Sequence, residues 1–149
     1  VTALALDALR DKQAITEICY RYAIALDARD WAALRTCFTA DATAYYRDGN
    51  PSRGYPAIER RVRSALAPLS ATQHLIGNVA VTLDGDEADS VCYLQAQHVR
   101  PGTAGGETLI VAGRYLDHFV RTADGWRIAR RRLKIGWTDG NPAVLARPG

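Results

Sequence analysis

Seven tyrosines, three histidines and a few carboxylates are the groups in this 149-residue chain best suited to moving a proton. One carboxylate stands out of pattern. Asp27 falls beside an apolar stripe of Ile15, Ile18, Cys19, Tyr22, Ala23 and Leu26 at helical spacing. A carboxylate next to a buried stripe is costly to desolvate unless something donates to it. Two readings are open. Asp27 caps the short helix that starts near Asp30 or Trp31, or pairs with Arg29 in solvent; or it meets a polar group from a distant part of the chain. His74 would give the second reading a chemistry. A carboxylate that accepts from one imidazole nitrogen fixes the tautomer and raises the basicity of the other, which makes a general base near neutral pH. The competing reading of His74 is a half-exposed ring bonded to backbone.

Other groups bear on the same chemistry. His98 alternates with Ala96, Leu94 and Cys92, so it is either a satisfied core histidine or a donor to a substrate oxygen. His118, beside Asp117, is expected at the surface. Tyr20, Tyr22, Tyr45, Tyr46, Tyr55, Tyr93 and Tyr115 outnumber what core packing needs, and a subset facing a cavity would make an aromatic, polar-lipped pocket. Tyr22 lies about 140° around a helix from Asp27, so the two approach one ligand from adjoining sides. Arg127, Arg130, Arg131, Arg132 and Lys134 crowd one segment. Strict alternation sends Arg130, Arg132 and Lys134 to one face and Arg127 and Arg131 to the other. The run is either a solvated face with acidic neighbours such as Asp117 and Glu107, or it turns one guanidinium, with Arg132 as the candidate, toward a substrate carboxylate or phenolate. No HxH, HxxxH or CxxC occurs, so no metal site is expected, and Cys19, Cys37 and Cys92 read as packing residues. No phosphate loop or nucleophile elbow is present.

The elements that must position these groups are helices first and strands afterwards. A helix is expected from Asp7 to Arg29, with Leu6, Leu9 and the Ile15–Leu26 stripe as its apolar face. A short second helix runs from Trp31 to Thr36 behind an Asp30 cap. A short strand over Ala42–Arg47 ends in the turn Asp48–Pro51. Gly54–Leu69 is helical, with Ile58, Val62, Ala65 and Leu66 inward and Glu59, Arg60, Arg61 and Arg63 on solvated faces. From Thr72 the period changes to two, and strands are expected over His74–Leu83, Ala88–Arg100, Glu107–Thr122 and Trp126–Thr138. Within the first of these, His74 and Ile76 have the opposite parity to Val79, Val81 and Leu83. Only a bulge at Gly77–Asn78 puts them on one face. The tail 141–149 drapes over the sheet or a partner subunit.

Helices followed by a meander imply an α+β domain. At 48% hydrophobic and 23% charged residues the chain reads as one globular domain over residues 1–149, soluble and cytoplasmic. No apolar run is long enough for a membrane span, and a net charge of +3 is too small to argue for nucleic acid. No Met occurs, so the first residue is not read as the start of translation.

Taken in order, Tyr22 to Asp27, Asp30-Trp31, Phe38, Asp41-Ala42, His74, Gly113-Arg114-Tyr115-x-Asp117-x-Phe119 and Asp124-Gly125-Trp126-x-Ile128 resemble the SnoaL-like family of the nuclear-transport-factor-2-like superfamily. The resemblance spans almost the whole chain. It implies a cone-shaped roll in which N-terminal helices pack on a strongly curved, mostly antiparallel sheet around one apolar pocket. Within the family the chain is most similar to cofactor-free lyases of the scytalone dehydratase, hexachlorocyclohexane dehydrochlorinase and bile-acid 7α-dehydratase types. Their Asp-His dyad falls on Asp27 and His74, and their pocket residues fall on or near Tyr22, Tyr46 and His98. Their pocket arginine does not align cleanly with Arg130, Arg132 or Lys134. The resemblance implies no cofactor, a hydrophobic cyclic small molecule as substrate and a homodimer or higher homo-oligomer formed through the outer face of the sheet. The alternatives are a polyketide-type ring closure, a non-catalytic binding or dimerisation module with a filled cone, and a small subunit supporting a larger oxygenase.

Overall fold

A computed structural model describes residues 2–146; the first residue and 147–149, the end of the expected tail, lie outside them. Helix α1 spans Ala3–Ala28, with the Thr2 hydroxyl accepting from the Ala5 N–H at its start. It ends where Arg29 adopts a left-handed φ of 56° and returns its N–H to the last turn. Ile15, Ile18, Cys19, Tyr22, Ala23, Ala25 and Leu26 form the buried face, as the spacing predicts. Leu6 and Leu9 do not belong to it, since both side chains are exposed. Helix α2 spans Trp31–Arg35, and Asp30 caps it by accepting from the Ala33 N–H at 2.9 Å. Helix α3 spans Tyr55–Leu66, one residue shorter than expected at its start and three at its end.

Six strands make one sheet: β1 Phe38–Tyr45, β2 Pro51–Arg53, β3 Ala71–Asp84, β4 Glu87–Val99, β5 Thr108–Thr122 and β6 Gly125–Gly140. Their order is β2-β1-β6-β5-β4-β3. The β3–β6 meander is antiparallel throughout, whereas β1 joins β6 in parallel, so the sheet is mixed. The three-residue β2, not anticipated from the sequence, is an edge strand that opens with Pro51 opposite Tyr45, a position where a sheet tolerates proline.

The expected strongly curved, cone-shaped roll is not what forms. The sheet stays open and is not strongly curved, with β2 and β3 as separate free edges, because nothing pairs the first strand of the meander to the β1–β2 ribbon. One face is instead covered by the helices: α1 lies against β3, and α3 against β1 and β2. A 3₁₀ turn at Pro142–Leu145 packs on β4 and β5 and buries Val144.

Bulges decide which side chains face the helices. On β3 the pairing jumps from Gly77–Tyr93 to Ala80–Val91, so Asn78 and Val79 together oppose one residue, and Asn78 takes a φ of 50°. His74 and Ile76 before the bulge therefore share a face with Val79, Val81 and Leu83 after it, and the latter four apolar residues pack on the core. On β6 the pairing jumps from Phe119–Ile128 to His118–Arg130, leaving Ala129 as the extra residue. Trp126, Ile128 and Arg131 are consequently all buried. Gly113 of β5 packs so closely on β6 that a Cβ there would collide with the Lys134 carbonyl.

Candidate functional site

Asp27 sits in the last turn of α1, and β3 comes to it. Its Oδ1 accepts from the Thr72 hydroxyl at 3.0 Å and from His74 Nδ1 at 2.7 Å, while its Oδ2 accepts from the His74 backbone N–H at 2.8 Å. Three donors from one strand thus converge on one carboxylate. Arg29 does not pair with it. Its guanidinium donates to the Leu26 carbonyl and to the Thr72 hydroxyl, which in turn donates to Asp27. Burial pushes the Asp27 carboxyl up, but the His74 ring and backbone, the His74 charge and the Thr72 hydroxyl outweigh it and hold the group below its ordinary value. Asp27 is therefore ionised at neutral pH, and His74 Nδ1 is the donor. The His74 side chain is only 6% exposed, against 26% for Asp27.

His98 packs its ring edge-on to His74, with centroids 5.8 Å apart. Its Nδ1 lies 3.3 Å from the Leu109 carbonyl, which identifies it as the protonated nitrogen. Burial, reinforced by the neighbouring His74 charge, pushes His98 down to about 4. It is both a satisfied core histidine and a wall of the cavity, and it is uncharged at neutral pH.

Tyr22, Tyr46 and Tyr115 come together on the same hollow. The Tyr22 and Tyr46 hydroxyls are 3.1 Å apart, and the Tyr22 and Tyr115 rings meet edge to face at 5.6 Å. Burial drives the Tyr46 and Tyr115 hydroxyls well above their ordinary values, with Arg131 opposing, so both remain O–H donors. His118 lies apart from them, beside the carboxylates of Asp89 and Glu87.

The inward arginine is Arg131, not Arg132. The Ala129 bulge inverts the parity expected for the second half of β6, leaving Arg132 exposed, stacked over Tyr45 and away from the cavity. Arg131 is fully buried, makes a bidentate ion pair with Asp117 at 2.8 and 2.6 Å, and lies 4.0 Å from the centroids of both Tyr22 and Tyr115. Its Nη1 has no hydrogen-bond partner. Burial works against its charge, but Asp117 prevails and holds its affinity for the proton well above the usual arginine value. A signal for this arrangement does exist in the sequence: apolar parity changes between Ile128 and Leu133. Thr72, two residues before His74 on the same strand face, also escaped notice.

Of these groups, Tyr22, Tyr46, His74, His98 and Tyr115 line a cavity of about 790 Å³. Leu26, Val62, Leu66, Leu94, Val111 and Leu133 form its apolar wall, and Leu145 of the 3₁₀ turn contributes from the C-terminal end. Among the described residues no three His, Cys, Asp or Glu side chains cluster as a metal site, and no helix is long and apolar enough to cross a membrane.

Comparison with known proteins places this geometry among relatives. Residues 7–132 match the model of the SnoaL-like domain. Terrestric acid biosynthesis cluster protein E of Penicillium crustosum is 32% identical over 146 residues, covering 94% of this chain and 92% of that protein. Two solved structures superpose over nearly the whole length. A putative scytalone dehydratase from Novosphingobium aromaticivorans gives a TM-score of 0.82 at 22% identity, over 95% of this chain and 94% of that one. A hexachlorocyclohexane dehydrochlorinase from Novosphingobium barchaimii gives 0.82 at 15% identity, over 97% and 99%. At these identities the two structures establish a shared fold.

Proposed function

The chain belongs to the SnoaL-like domain family of the nuclear-transport-factor-2-like superfamily, and we propose that it is a cofactor-independent lyase of the dehydratase type acting on a hydrophobic cyclic small molecule. One observation carries this reading: the 2.7 Å contact between Asp27 and His74 at the wall of an open cavity. Both features run against a binding module with a filled interior. The relative named for a small-molecule biosynthesis cluster, and the shared fold with dehydratase-type proteins, support the same reading.

Asp27 holds His74 in the tautomer with hydrogen on Nδ1, so the Nε2 lone pair is the base. Nε2 takes the proton from a carbon next to a carbonyl, and the C–H electron pair moves into the enolate. The Tyr22, Tyr46 and Tyr115 hydroxyls donate to the oxygen on which that charge develops. As the enolate collapses, a new C=C bond forms, the C–O bond on the adjacent carbon breaks, and the proton on His74 returns to the departing hydroxyl as water. Atoms and electrons balance with no external oxidant or reductant. Thr72 and Arg29 act through Asp27 as positioning residues.

The test is turnover by Asp27→Asn and His74→Gln against a panel of cyclic β-hydroxy ketones. Each substitution removes general-base catalysis, which contributes roughly 10²–10⁴-fold, and circular dichroism should remain that of the parent. Unchanged turnover in Asp27→Asn would remove the dyad. We further take the working form to be a homodimer joined through the outer face of the sheet.

A further inference from the structure

The mouth of the cavity carries charge that the lyase chemistry does not use. Arg47 and Arg60 lie at its rim, both exposed, and among the described residues neither has a carboxylate partner. Arg61 beside them is half-buried, pairs with Asp48 at 2.7 Å and lies over the Tyr46 ring. Among the described residues the rim therefore presents three guanidiniums against one carboxylate, above a wall of Leu, Val and Ala side chains. Arg47 sits near enough to His98 for its charge to oppose protonation of that buried ring. Its field thus extends into the hollow. Helix α3 places Arg60, Arg61 and Ser64 on the side facing the opening, although charges on an amphipathic helix ordinarily face bulk water.

We propose that the ligand of this cavity is an amphipathic anion: an apolar ring system against the inner wall, with one carboxylate or phosphate ester at the rim between Arg47 and Arg60. Fixed cations beside a low-dielectric hollow raise the local concentration of such a ligand, and guanidiniums match the fork of a carboxylate or phosphate. Asp48 keeps Arg61 engaged, so Arg47 and Arg60 are the pair left for the ligand. A ligand held at that end would enter in one orientation, ring first toward His74. This inference rests on the reading of the cavity as a substrate site.

The experiment is calorimetric titration of the full chain with 2-naphthoate, 2-naphthyl phosphate and the neutral 2-naphthamide. Both anions, or one of them, should bind roughly five- to tenfold more tightly than the amide at low salt, and the preference should shrink as sodium chloride is added. Whichever anion binds better identifies the recognised group. The double variant Arg47→Gln/Arg60→Gln should lose the preference and keep its affinity for the amide. Asp27→Asn should keep the preference, so normal turnover in that variant would sink the dyad and leave the rim intact. Equal affinity for all three probes, a preference that survives the double substitution, or no binding of any probe would overturn the inference.

Discussion

The Asp27 carboxylate holds three hydrogen bonds, all from residues 72 and 74, and each favours its charged form. Catalysis by a neutral His74 needs that charge in place, and the lowered pKa secures it at neutral pH. His98 carries the opposite requirement. Its ring is buried beside another imidazole and titrates at about 4 instead of 6.5. The unfolded chain therefore binds this proton more readily than the folded one between those two values. Stability is complete above about pH 6.5 and falls as the pH drops toward 4, by about 2–3 kcal/mol. Urea unfolding at pH 7 and pH 4.5 checks this. The loss between the two should be smaller by that amount in His98→Gln than in the parent, whatever the substitution costs at pH 7; equal losses would show that His98 does not titrate this way.

At the scale of elements, single extra residues in strands decide the site. The β3 bulge was legible, since His74 and Ile76 clash in parity with Val79, Val81 and Leu83, and Gly77-Asn78 supplies residues that tolerate the needed backbone. The β6 bulge left a fainter mark, since Trp126, Ile128, Arg130 and Arg132 alternate without visible conflict and only the apolar Leu133 breaks the parity. Extending that alternation one residue too far selects Arg132 and hides Arg131. Across β5 and β6, Asp117 faces Arg131 directly, and both side chains are wholly buried. Removing one partner of such a pair strands the other charge in a medium that cannot solvate it, at a cost of about 3–5 kcal/mol. Asp117→Ala should lower stability by that amount in denaturant unfolding, and Asp117→Leu/Arg131→Met should recover most of it. A loss under 1 kcal/mol in the single variant would mean that water reaches the pair.

At the scale of the whole molecule, an open sheet leaves its outer face uncovered. Leu75, Gln95, Ala112 and Trp137 line up across four strands on that face, with Tyr93 in the next row; Leu75, Tyr93 and Trp137 are 60%, 53% and 51% exposed. Large apolar side chains in register on one surface are the expected contact for a second copy. Sedimentation velocity should give twice the monomer mass for the parent and the monomer mass for Trp137→Asp; a monomeric parent would exclude this face as a self-contact. The sequence by itself determined the order of the helices and the longer strands, the buried stripe of α1, the Asp30 cap, the β3 bulge and the candidacy of Asp27 and His74. All of these are written in local periodicity, turn chemistry or a single misplaced charge. Tertiary structure alone decided that the sheet stays open, that Arg131 rather than Arg132 turns inward, that Arg29 serves Thr72 instead of Asp27, and that the rim of the cavity is basic. Those outcomes depend on register between strands and on which helix face meets which edge, contacts between residues far apart in the chain at which local pattern at most hints, as Leu133 does for Arg131.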